Sequence, residues 1–328
     1  MKFNFVIFAS KFYVYETSYG DVSGLKNVRY INDPIAKKNK FIKLLYRIHH
    51  SNRINKYLKL PFKQIWFKSY FVNNFVENKP ICFLFFRDTL YLEKLGYIDY
   101  LKSKYDDSKF VVFFQDLISL YPNIIDIEHC KNIFDLVLSF DQAESKKYEL
   151  VYHQLVFSHI PIKKSKGISD CDIYFLGKAK NRLEEIIKTY EYLKSQNLKC
   201  DFYLVGVEPN KQVYPDEIHY IEDMPYIENL QHVVSTRCLL EIMQQGGHGY
   251  TQRMCEAIAY DKKILTNNVE VKEAPFYNPK YISIFSDISD IDITFLNDGS
   301  DYKVDYNYKE KISPKELLLF IQEKINNK

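Results

Sequence analysis

The chain has 328 residues, 46% of them hydrophobic and 27% charged, with a formal net charge of +3. That length exceeds one ordinary α/β domain and that apolar fraction supports sizeable cores, which excludes a disordered chain, a fibrous repeat and a small disulfide-stapled scaffold. Cys82, Cys130, Cys171, Cys200, Cys238 and Cys255 form no C-x-x-C pair and sit mostly in apolar runs. They read as buried hydrophobes of a reducing compartment, and with no apolar run near the ~20 residues of a membrane span the expectation is a soluble, cytoplasmic protein.

In chain order, Lys2–Ala9 carries no cleavage pattern and reads as a first strand rather than a signal peptide. From Pro34 to Val76 there are ten Lys and Arg and no Asp or Glu, interleaved with apolar residues at helical spacing. Two readings stand: a solvated basic helix pair, or a surface for anionic lipid at the inner face of the cell membrane or for a diphosphate-linked acceptor. Nucleic acid is not expected, because groove-reading and stacking features are missing. Ile81–Phe86, Phe110–Phe114 and Leu136–Phe140 are short runs rich in Phe, Val, Leu and Ile, as expected of strands buried on both faces. Helical patterns follow at Leu90–Lys104 and Gln142–Leu150. Ser158–Asp170, with Pro161, Gly167 and a lysine cluster, reads as a linker.

Beyond it the alternation restarts. Strands are expected at Cys171–Leu176, Cys200–Val205, Ile218–Ile221, Cys238–Met243 and Lys263–Thr266. Helices are expected at Asn181–Gln196, Tyr226–Val234, Thr251–Tyr260 and Ser313–Ile325, the last with Ser313 as cap and Glu316 at the capping-box position. The fold class is therefore α/β, with two Rossmann-like doubly wound domains, residues 1–158 and 171–328, facing a cleft. The final helix is expected to cross back to the first domain. Residues 1–158 carry 23 Lys and Arg against 16 Asp and Glu, and the remainder 22 against 26, so the two halves differ in sign.

In doubly wound sheets ligands bind beyond the carboxyl ends of the strands, so the loops there carry the chemistry. The richest lies in Glu241–Asn268, which reads as strand, glycine-rich turn, helix, strand. Gly246, Gly247 and Gly249 allow close backbone approach, and a helix beginning near Thr251 offers free N–H groups to a phosphate. Arg253 and Glu256, three apart, share a helix face: a guanidinium for a diphosphate and a carboxylate for ribose hydroxyls. The competing reading is an ordinary turn with a surface Arg–Glu pair. In the first half, Asp88 and Asp116 each directly follow a strand, as a general base for an acceptor hydroxyl would, or as helix caps would. Asp170-Cys171-Asp172 and Asp290-Ile291-Asp292 are read as chance or capping pairs, and no metal is expected.

The Glu241–Asn268 segment resembles the C-terminal signature of GT-B glycosyltransferases of bacterial capsular and lipopolysaccharide biosynthesis. Two further stretches are similar: Asp172–Arg182, and Asp135–Asp141 with Lys147–Leu150. The resemblance implies a hexosyltransferase-type enzyme that moves a sugar from a nucleotide-diphosphate sugar, UDP-linked, to a growing surface-polysaccharide or lipid-linked saccharide. It implies that Glu256 binds the donor ribose, that Gly246–Thr251 lies against diphosphate and sugar, and that Lys178, Lys180 or Arg182 touches the diphosphate. One departure stands out: eight residues before Glu256 the retaining enzymes have a second glutamate, whereas this chain has His248, which leaves stereochemistry and sugar open. Alternatives are a phosphoglycerol or polyol-phosphate transferase of the same type, and a non-catalytic GT-B-like saccharide-binding subunit.

Overall fold

The computed structural model describes all residues except 10–16, 34, 36, 37, 59, 245–247, 298–302 and 328, together with the side chains of Asn52 and Asn297. The chain divides into two compact units. Unit 1 comprises Met1–Glu16, Asp21–His153 and Leu317–Lys328; unit 2 comprises Thr17–Gly20 and Gln154–Glu316. Each is built on a six-stranded, all-parallel sheet, so the expectation of two Rossmann-like α/β domains holds.

The strands of unit 1 are β1 (Asn4–Phe8), β2 (Val28–Ile31), β3 (Ile81–Phe86), β4 (Lys109–Phe114), β5 (Leu136–Ser139) and β6 (Val151–Tyr152), in the order β2-β1-β3-β4-β5-β6. β1 and β3 are buried along their whole length, as continuous apolar runs require. Their aromatic side chains fill the core: the rings of Phe8 and Phe85 stack with centroids 5.0 Å apart, and Tyr97 meets Phe8 edge-on at 5.7 Å. One helix expected from the sequence is divided in two. The Leu90–Lys104 helix is two helices, Tyr91–Lys94 and Tyr97–Lys104, because Gly96 takes a φ of 80° and ends the first turn. Helix α1 (Lys40–His49) is capped by Asn39, whose side chain accepts from the Ile42 N–H at 2.9 Å, and has no buried residue.

Unit 2 contains β7 (Cys171–Lys178), β8 (Cys200–Val205), β9 (Ile218–Ile221), β10 (Thr236–Glu241), β11 (Lys263–Thr266) and β12 (Ile282–Ile284), in the order β12-β11-β10-β7-β8-β9. The chain winds outward one way from β7 and the other way from β10. Those two strands pair at Cys171–Thr236, Ile173–Cys238 and Tyr174–Leu239, and the crevice beyond their carboxyl ends is the topological switch point. Helix α2 (Leu183–Ser195) buries Ile186, Tyr190 and Leu193, a stripe at helical spacing. Helix α3 (Tyr226–Ser235) buries Tyr226, Leu230 and Val233, but also Asn229 and His232. Helix α4 (Gln252–Ala259) is buried from Met254 onward. The segment Gln154–Asp170 has no regular structure apart from a turn, and the final helix, α5 (Pro314–Asn326), begins in unit 2 and belongs to unit 1 from Leu317.

Candidate functional site at the switch point of unit 2

Two arginines bridge the carboxyl ends of β7 and β10. Arg253, on the first turn of α4, donates from Nη1 to the Leu240 carbonyl at 2.7 Å and from Nη2 to the Leu176 carbonyl. Arg182, at the entrance to α2, donates from Nη1 to the Ile242 carbonyl and from Nη2 to the Lys178 carbonyl at 3.2 Å. Both guanidiniums lie over the Phe175 ring, at 4.9 Å for Arg253 and 5.9 Å for Arg182. Burial, with the neighbouring Arg253 charge adding to it, pushes the Arg182 guanidinium down to about 10, against the attraction of Glu241 and Glu185. The Arg182 Nε is buried with no protein acceptor. Two like charges thus lie together at a strand-end crevice, with one buried donor unmatched. Each arginine also braces the sheet, and a guanidinium has five N–H groups, so donors remain beyond the carbonyls they hold. Lys178, the last residue of β7, and Lys180, just beyond it, are exposed, and Lys180 donates to Gln244 Oε1 at 3.1 Å.

The turn into α4 is held by carboxylates. Thr251 is the N-cap: its hydroxyl accepts from the Met254 N–H at 3.4 Å and donates to Glu241 Oε1. Glu241 is 3% exposed, and its Oε2 accepts from the Thr266 hydroxyl at 2.5 Å, so one buried carboxylate ties the helix start to β11. Gly249, at a φ of 76°, points its N–H to Glu270 Oε2 at 2.8 Å, while His248 Nδ1 meets Glu270 Oε1 at 2.6 Å. Asn268 closes the clasp by donating to the Gly249 carbonyl at 2.8 Å. Partial burial pushes the Glu270 carboxyl up, but the Gly249 N–H and His248 outweigh it and hold it below the ordinary range. The backbone donor expected to face a phosphate thus faces a carboxylate of the chain. Gly246 and Gly247 lie outside the described residues.

Glu256 is 4% exposed. Its Oε1 accepts from the Tyr226 hydroxyl at 2.5 Å and from Asn229 Nδ2 at 3.1 Å, and Asn229 Oδ1 accepts from Tyr174 at 3.0 Å. Burial raises its carboxyl above the ordinary value, against the pull of Arg253, Tyr226 and Asn229. Beside this network His232 stacks on Tyr174 at 5.1 Å and pairs with Asp201 at 2.6 Å. Sequence reasoning missed Glu241, Glu270, Tyr226 and Asn229. The signal available for Asn229 was a polar residue on the apolar stripe of α3, where only a satisfied partner network makes burial affordable.

In unit 1, β3 and β4 bring Asp88 and Asp116 together on one arginine. Arg87 donates to Asp88 Oδ1 from Nε at 2.9 Å and from Nη2 at 2.6 Å, and its Nη1 lies 3.5 Å from Asp116 Oδ2. The Tyr121 hydroxyl donates to the same Asp116 oxygen at 2.6 Å, under the guanidinium at 4.1 Å. Asp116 Oδ1 accepts from the Leu117 N–H at 3.0 Å; Asp88 caps no helix, since the short turn after β3 is closed by Thr89. Of the Asp-x-Asp pairs, Asp172 accepts from Arg237 and from the Lys199 N–H, and Asp292 from the Thr294 and Phe295 N–H groups.

No family model and no curated protein matches the chain. Similar solved structures include TarM, at 12% identity and a TM-score of 0.48 over 76% of this chain; the match takes in 55% of TarM, so the chain spans about half its length. A UDP-N-acetylglucosamine 2-epimerase from Rickettsia bellii is 11% identical, TM-score 0.48, over 98% of this chain and 96% of its own. The pneumococcal O-GlcNAc transferase GtfA, in complex with UDP and GlcNAc, is 11% identical, TM-score 0.46, over 75% of this chain and 56% of its own. Likenesses of this size transfer no residue roles.

Proposed function

We propose that the protein is a glycosyltransferase that takes its sugar from a nucleoside-diphosphate donor, UDP-linked, held at the switch point of unit 2, and passes it to a saccharide or lipid-linked saccharide acceptor. One observation carries the reading: Arg182 and Arg253, the latter on the capped first turn of α4, converge beside the carboxyl ends of β7 and β10, where a doubly wound sheet receives its ligand. A diphosphate spreads its charge over two phosphoryl groups and suits two guanidiniums better than a single anion does. Lys178 and Lys180 close the seat from the exposed side. His248 and Gly249 join once the donor displaces Glu270. Asp116, or Asp88, takes the acceptor proton if transfer inverts the anomeric centre.

The test is calorimetry with UDP and UMP on the wild-type chain and on Arg182→Gln. Losing a hydrogen bond to a charged group costs about 1.5–3 kcal/mol, a fall of roughly 10- to 150-fold in UDP affinity, with a smaller fall for UMP. The exposed Lys178→Ala/Lys180→Ala pair, which leaves the sheet braces intact, should weaken UDP in the same direction. A wild-type chain that binds no nucleoside diphosphate sinks the proposal.

A second reading, a non-catalytic saccharide-binding relative, is favoured by the internal satisfaction of Glu256 Oε1 and of the Gly249 N–H. UDP-sugar hydrolysis by the isolated protein separates the two, since only the enzyme releases UDP.

A further inference from the structure

Eighteen large hydrophobic side chains are exposed among the described residues, and ten of them lie between Phe41 and Val76. Exposed apolar side chains gathered in one segment are not scattered exposure, and where they share a face they mark an interaction surface. Helix α1 presents Phe41, Leu44, Leu45 and Ile48, at positions i, i+3, i+4 and i+7, and these are 66%, 53%, 43% and 43% exposed. Phe62 and Ile65, 75% and 64% exposed, follow Pro61, whose carbonyl lies 2.7 Å from His49 Nε2.

The opposite side of α1 is firmly held. Tyr46 stacks on His50 at 4.1 Å and meets Trp66 edge-on at 5.2 Å, and the Trp66 indole donates to His49 Nδ1 at 2.8 Å. The apolar stripe is therefore presented outward by a fixed helix. Lys40, Lys43 and Arg47 fall together on one flank of that stripe, at about 100° per residue, and the segment contains no acidic residue to neutralise them.

We infer that this face of unit 1 docks on an anionic lipid surface, with the stripe of α1, Phe62 and Ile65 in the headgroup–acyl boundary and the flanking cations against the lipid phosphates. The charge decides the occupant. A second copy seated on the same patch would set cations against cations. A nucleic acid would use the cations and leave the apolar stripe against water. An anionic bilayer satisfies both at once, and the inference stands whether or not unit 2 holds a nucleotide.

The test is co-sedimentation of the full chain with phosphatidylglycerol–phosphatidylcholine vesicles and with phosphatidylcholine alone. Trp66, the single tryptophan, lies inside the docking segment and reports binding by its emission. Wild-type protein should bind the anionic vesicles far more tightly. Reversing Lys40, Lys43, Arg47 and Lys56 to Glu should lower partition on the order of 10³-fold or more, at about 1 kcal/mol per cation. Phe41→Ser/Leu44→Ser/Leu45→Ser should lower it as well, separating insertion from charge alone. All seven side chains are partly or largely exposed, so thermal unfolding and UDP affinity should be unchanged. Equal binding to both vesicle types, full retention by either variant, or self-association through the patch in place of vesicle binding overturns the inference.

Discussion

Thr251→Val tests whether the start of α4 is built as described. The change keeps the side-chain shape and removes one oxygen that does two jobs. As N-cap it accepts from the Met254 N–H, a contact worth ~1 kcal/mol. As donor it serves Glu241, a carboxylate 3% exposed, and a hydrogen bond to a buried charge is worth about 1.5–3 kcal/mol. The sum is a loss of about 2.5–4 kcal/mol. For a unit of this size each kcal/mol moves the melting temperature by about 2–4 °C, so the unit 2 transition should fall by roughly 5–15 °C. Differential scanning calorimetry is the assay, because the single tryptophan lies in unit 1 and does not report unit 2 directly. Thr251→Ser keeps both contacts and should stay within about 0.5 kcal/mol of wild type, serine being at least as good a cap. A Val variant within about 1 kcal/mol of wild type, or a Ser variant as damaged as Val, refutes the reasoning.

Other outcomes follow from the same geometry. Glu256 has its folded carboxyl raised above the ordinary 4.5, so between those two values the native state holds a proton that the unfolded chain has released. The stability of wild type relative to Glu256→Gln should therefore fall as pH rises from about 4.5 and level off above the folded value. Urea unfolding of both proteins across that range checks it, and a difference that grows with pH contradicts it. Gly249→Ala should cost about 1–2 kcal/mol because of its left-handed backbone, and Gly249→Asn less, read by thermal unfolding; equal costs would place the strain elsewhere. Asp116→Asn should lower turnover ~10²–10⁴-fold with UDP affinity unchanged, or Asp88→Asn should do so in its place. Full activity in both variants removes these carboxylates from the reaction.

The interior strands were legible, and of the four edge strands only β9 was. The interior strands Ile81–Phe86, Cys200–Val205 and Lys263–Thr266, and the edge strand Ile218–Ile221, were read to the residue. The strands that escaped, β2, β6 and β12, all lie at sheet edges. An edge strand such as Val28–Ile31 is only half-buried beyond its first residue, so no continuous apolar run announces it. β10 was placed two residues late, because Thr236 and Arg237 look like a loop whereas Ile242 and Met243 are apolar. At the site, spacing placed Arg253 and Glu256 on one face but could not show that Glu256 faces inward to Tyr226 and Asn229 from another helix. Nor could it show Glu270, from the loop after β11, reaching the Gly249 N–H. Both facts depend on tertiary neighbours, which local pattern does not encode.

The division of α5 between the units bears on the order in which the protein can be completed during synthesis. Unit 1 emerges first, yet Leu317, Leu318 and Ile321, all fully buried, arrive only after Gln154–Glu316 has been translated. At ~5–20 residues per second that interval lasts roughly 10–30 s. Until then Phe320 cannot meet His153, a ring contact of 4.8 Å, nor Gln322 receive the backbone N–H of Lys2. The nascent first unit should stay protease-sensitive on ribosomes stalled before Leu317 and become resistant once the helix is released, so a segment translated after unit 2 latches unit 1.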